Sequence, residues 1–169
     1  MKTVLALAAS LIAASAATAF AELTLDATGW QRGRVETRAR PVVWRDVAQA
    51  ELDGKRAALR GKAVLKNRGP KPAEGILLRY AVSARLLPDR GSAAEATWAI
   101  PCLIDERRVP KVGPNQVLEV PLSLSPKLDH YLAKLRRQGF RPDSLKLQAM
   151  LELHGAEGVR VVESSLEVK

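Results

Sequence analysis

The chain predicts an all-β fold: an immunoglobulin-like antiparallel β-sandwich of seven to eight strands, with one short crossover helix at about 126–138. Three observations carry that expectation. Apolar and polar residues alternate with period two in one segment after another, the spacing that sends successive side chains to opposite faces of a strand. Turn-forming Gly, Pro, Asn and Asp punctuate those segments. A single stretch switches to helical spacing.

Residues 1–21 read as an export signal. Lys2 supplies the positive start, Val4 to Ala14 a short apolar run, and Ala19-Phe20-Ala21 the small residues of a cleavage site. An uncleaved anchor is the other reading, but the run falls short of the roughly 20 residues a spanning helix needs. Cleavage leaves 148 residues beginning near Glu22, which is not the cysteine a lipid anchor requires, and no transmembrane helix. The expected address is exported, periplasmic or extracellular. Residues 22–41 form a basic N-terminal segment able to supply a first strand, and 42–169 the sandwich domain.

The strands follow in order. A less regular segment, Val42 to Leu52, meets Asp53-Gly54, a two-residue hairpin signal leading into the next strand. There Ala57, Leu59, Gly61, Ala63 and Leu65 share a face. Asn67-Arg68-Gly69-Pro70 stops that strand, and Ile76, Leu78, Tyr80, Val82, Ala84 and Leu86 line the next. Trp98, Ile100, Cys102 and Ile104 fall on one face, expected to be the core face. After Gly113-Pro114-Asn115 come Leu118, Val120, Leu122 and Leu124, with Pro121 on the polar face marking an edge strand or a kink. Ser125 suits a helix N-cap and Pro126 the first helical position. Leu128, Tyr131, Leu132 and Leu135 form an apolar stripe, and Gly139 suits the helix end. Leu145, Leu147, Ala149, Leu151 and Leu153 alternate again. The last strand, Val159 to Val168, changes phase near Val161, which predicts a bulge.

Composition bounds the function. Beyond the signal, 26 basic residues face 18 acidic ones, and 47% hydrophobic content is that of a globular domain. One cysteine excludes an internal disulfide. Its place on an apolar strand face predicts a buried, inert thiol, with an intermolecular disulfide as the alternative.

No catalytic set is legible. A nucleophile needs a base within reach, yet His130 and His154 stand apart from any nucleophile motif, one on the helix and one at a strand end. One Cys and two distant His do not make a zinc site. Asp105-Glu106 lacks a calcium-loop frame and reads as a solvated turn facing Arg107 and Arg108. The expectation is no enzyme activity, cofactor or metal.

The basic residues are the feature with functional content. Arg32, Arg34, Arg38, Arg40 and Arg45 cluster with Trp30 and Trp44. Lys127, Lys134, Arg136, Arg137 and Arg141 surround the helix. Clustered Arg suits phosphate, sulfate or carboxylate, and Trp beside it could stack on sugars. Interleaved Glu36 and Asp46 support the plainer alternative of a mixed soluble surface with buried tryptophans.

Arg60 to Gly69, followed by Ala73 to Tyr80, resembles the strand, Asn-x-Gly turn and strand of bacterial immunoglobulin-like modules of the CARDB (cell-adhesion-related) type. Arg108 to Asn115 is similar to that family's later Pro-Gly loop. The resemblance spans roughly Val42 to Leu124, and the helix at 126–138 departs from the simplest such module. It implies surfaces for adhesion or assembly and no catalytic residues. Three roles therefore stand as expectations: a non-enzymatic module binding another envelope or surface protein, a module for anionic envelope polymers or lipid head groups through the Arg-rich segment, and a periplasmic assembly factor pairing by an edge strand. Nucleic acid is not an expected partner, and the oligomeric state is open.

Overall fold

Period-two alternation becomes two sheets packed face to face. The computed structural model describes residues 22–34, 42–50, 57–124, 126–152 and 160–168. The signal-like stretch 1–21, the Asp53-Gly54 turn, Ser125 and His154 lie outside them. One sheet has the order β2 (Val43–Asp46), β1 (Leu23–Arg34), β4 (Ala57–Asn67), β8 (Val117–Ser123). The other runs β3 (Gln49–Ala50), β10 (Arg160–Val168), β9 (Phe140–Glu152), β5 (Ala73–Pro88). Two further strands, β6 (Thr97–Trp98) and β7 (Leu103–Val112), also pair with β5. Helix α1 (Lys127–Arg137) links β8 to β9.

The described residues thus contain ten strands, not seven to eight. The Val42–Leu52 segment splits in two because the chain changes sheets there. Val47 N–H donates to Trp30 O at 3.0 Å in the four-stranded sheet, and Ala48 O accepts from Glu167 N–H at 3.0 Å in the other. The resulting β3–β10 pair is parallel, whereas the other pairings are antiparallel. The described strands on either side of Asp53-Gly54, β3 and β4, lie in different sheets. The 22–41 segment contributes β1, an interior strand of its sheet.

Most inward faces are those the alternation predicts. Leu59, Ala63, Leu65, Leu78, Val82, Leu122, Leu145, Leu147 and Leu166 are buried. In β5 the phase slips: the register shifts between Arg85 and Leu86, so Leu87 is buried and Leu86 only packs against the core margin. Gly61 faces inward opposite Trp30, and a Cβ there would come within 2.9 Å of Leu147 from the other sheet. The bare backbone is what lets the sheets close at that point. Trp30 itself is 2% exposed, and its indole N–H reaches across to Ser164 O at 3.4 Å.

Helix α1 buries Leu128, Leu132 and Leu135, with Tyr131 half-buried, and stops where Gly139 takes φ +79. Pro126 precedes the first helical residue rather than occupying it. Pro121 is exposed on β8, the edge of its sheet, where a missing N–H is tolerated. No bulge appears in β10: its register with β9 runs unbroken from Arg160 to Glu167, and Val161 simply faces outward at 51% exposure.

Asn67 ends β4 and is 1% exposed. Its amide nitrogen donates to Lys71 O (2.8 Å), Gly113 O (3.0 Å) and Val112 O (3.2 Å), and its oxygen accepts from Gly69 N–H at 3.0 Å. Its backbone N–H donates to Gln116 O at 2.9 Å. One side chain therefore ties the β4–β5 loop to the β7–β8 loop. Asn67→Ala should lower unfolding stability by about 3 kcal/mol, because several buried backbone groups lose their partner. Asn67→Asp should do worse at neutral pH than at pH 3, since a carboxylate facing three carbonyls must shed its charge. Urea denaturation at the two pH values reads both effects.

Candidate functional site

The strand β5 carries β6 and β7 along the same edge, and the chain between them is pushed out of the ladder. Ala99 N–H donates to Ala84 O (2.9 Å) and Cys102 N–H to Val82 O (2.8 Å), so Ile100 and Pro101 loop away from their neighbour. The face turned inward on this segment is the opposite of the one expected. Leu103 is buried opposite Val82, while Trp98, Ile100 and Ile104 are 42%, 85% and 73% exposed. Two residues loop out, so the alternation keeps its phase from Trp98 to Ile104; the sequence pattern misled because the more apolar of the two faces is the outward one. The Lys146 ammonium lies 4.8 Å from the centre of the Trp98 ring. Around this apolar group the charges are mutually paired: Arg79 with Glu152 (2.9 Å) and Glu106 (4.0 Å), Arg85 with Asp143 (3.4 Å).

Cys102 is half-buried instead of fully enclosed, with its thiol 3.2 Å from Val82 O. Burial pushes the thiol pKa up. Asp105 and Glu106 sit within β7, not in a turn. Asp105 pairs with Lys127 at 3.3 Å rather than with its sequence neighbours, and the Glu106 N–H and Lys127 hold its carboxyl below the usual range.

The basic residues fall into separate places. Arg32 and Arg45 are directly opposed across β1 and β2, on the inward face, since Arg32 also opposes buried Leu59. Arg32 is half-buried and Arg45 exposed at the edge strand. Arg34 is opposite Val43, and Arg38 and Arg40 lie outside the described residues. Trp30 is a core residue, so it offers no stacking surface. Its spacing beside the arginines reflects strand alternation around a buried ring. Trp44 stacks instead under the Arg60 guanidinium, 4.0 Å from its ring centre. Lys134, Arg136 and Arg137 are exposed in the last turn of α1, and Arg141 is exposed on β9. Arg136, Arg141 and Asp143 border a cavity of about 340 Å³.

The outward face of the four-stranded sheet is a closed polar network that sequence reading did not find. Buried Gln31 donates to Asp46 (2.9 Å) and Glu119 (2.8 Å) and accepts from Arg60 (2.8 Å). Lys62 joins the same two carboxylates at 2.5 and 3.3 Å. Contact with Lys62 and then Gln31 lowers the Asp46 pKa, and Asp46 raises that of Lys62. Asp46, Arg60, Lys62 and Glu119 each have a partner inside the network.

His130 is exposed on α1. Among the described residues no three His, Cys, Asp or Glu gather as a metal site, and no helix is long and apolar enough to cross a membrane. No protein-family model matches the chain, and no curated protein matches it.

Two measurements follow from these sites. Cys102 should react slowly with a thiol reagent at pH 7 and faster only as pH rises past the ordinary thiol range, because only the thiolate attacks and burial raises its pKa; rapid labelling at pH 7 would place the thiol at the surface. The Asp46 pKa is depressed in the folded state, so its contribution is present above the ordinary Asp value and lost as pH falls through the lowered one. The melting temperatures of wild type and Asp46→Asn should therefore differ at pH 6 and converge toward pH 2.

Proposed function

We propose that the chain is an exported, non-enzymatic binding module that meets another envelope or surface protein through the outward face of its six-stranded sheet. The observation that carries this is the apolar group Trp98, Ile100 and Ile104, held out on β6, β7 and the loop between them. Covering a large aliphatic side chain yields about 1.5–3 kcal/mol, which folding leaves unused at Ile100. A partner that covers Trp98 as well gains the kind of aromatic anchor that dominates protein interfaces. Paired charges around the group supply a polar rim. The CARDB-like motif residues, which form β4, β5 and the β7–β8 loop, support an adhesion or assembly role.

Pairing through an edge strand has less support. The β8 edge carries Pro121, and β7 carries Pro110 and four consecutive charged residues, Asp105 to Arg108. Both devices discourage strand addition.

A photo-crosslinking residue at position 100 or 104, expressed in intact cells of the native host, should capture one discrete envelope protein. Position 66, on the outward face of the other sheet, should not. Ile104→Asp should abolish capture from position 100 while changing stability by less than about 0.5 kcal/mol, as surface substitutions do. Equal capture from both faces, or none from 100 and 104, would remove the basis for this reading.

A further inference from the structure

We propose that Arg32 and Arg45 together form a binding site for a phosphate group. Where charged residues oppose one another elsewhere across the described strands, the signs are opposite, as in Arg79–Glu106 and Glu74–Lys111. Arg32–Arg45 is the one directly opposed pair of cations among the described residues. Directly opposed side chains start about 5 Å apart at Cβ, and like charges in that relation destabilise a sheet. Neither guanidinium has an ion-pair or hydrogen-bond partner among the described residues.

The two side chains are also differently anchored. Arg32 lies on the face that carries Trp30 and Leu59 and is half-buried there, so it has less freedom than a surface arginine. Arg45 is exposed on the edge strand beside it, free to close on an anion. Two planar forks at this spacing suit the oxygens of one tetrahedral phosphate, each accepting paired N–H bonds. The basic residues at the end of α1 differ in kind, because the helix's terminal carbonyls already offset Lys134, Arg136 and Arg137. Soluble polymers and lipid head groups both carry such a phosphate; the recognising chemistry is shared.

The test begins with thermal melts in phosphate-free buffer, with ionic strength held constant by sodium chloride. Adding inorganic phosphate should raise the melting temperature of the wild type, as a ligand of the folded state does. Arg45→Gln should melt higher than wild type without phosphate, because the repulsion is gone, and should show no phosphate response. Calorimetric titration of short-chain polyphosphate should weaken at least tenfold in the same variant. Lys134→Gln/Arg137→Gln, which removes two charges elsewhere, should keep both responses. Polyphosphate binding without sedimentation on phosphatidylglycerol vesicles assigns the phosphate to a soluble polymer, and vesicle sedimentation lost in Arg45→Gln assigns it to a head group. A phosphate response that survives Arg45→Gln, or that is lost equally in the α1 variant, overturns the site.

Discussion

The carboxamide of Asn67 is the constraint on which the two-sheet arrangement depends. The chain passes from one sheet to the other between β4 and β5, and back again between β7 and β8. Asn67 bonds both of those loops at once, from a position with almost no access to water. A side chain with both donor and acceptor capacity is needed there, since three carbonyl oxygens and one N–H converge on it. Hydrophobic burial supplies most of the attraction between the sheets but has no direction. Asn67 supplies the direction, and Trp30 supplies a second fixed point through its bond to Ser164.

Much of this was legible in the sequence, and the failures are confined to a few places. Strands with uninterrupted alternation, such as Ala57 to Leu65 and Leu145 to Leu151, show their faces directly. Readings went astray at Val47-Ala48, where the chain changes sheets, at Arg85-Leu86, where the register slips, and along Trp98 to Ile104, where the more apolar of the two faces is the outward one. Local periodicity contains no information about which strand will be the neighbour. Val161 makes the converse point, because an exposed valine imitates a phase change without any distortion of the backbone.

The candidate sites were harder to see. The Arg-rich segment is plain in composition, but only register reveals that Arg32 opposes Arg45, and only the packed core removes Trp30 from consideration. Gln31, Asp46, Lys62 and Glu119 come from four different strands, so no linear motif announces their network. Nor does any motif announce the apolar group on β6 and β7, whose alternation looks like that of a core face but points outward. The same molecule thus has one sheet face that carries an interlinked polar network and another that leaves large apolar groups in water.

The split of the Val42–Leu52 segment between the sheets has a kinetic consequence. Its second half, β3, pairs with the last strand in the chain: Gln49 bonds Glu167 across 118 residues of sequence, and Trp30 bonds Ser164 across 134. Contacts so distant along the chain form late, because the loop they close must first be brought together. A nascent chain emerging from its N-terminus can complete neither contact until almost every residue has been made. Such wiring acts as a timer: the early strands wait without their final partners until the last strand is present, and only then does the sandwich close.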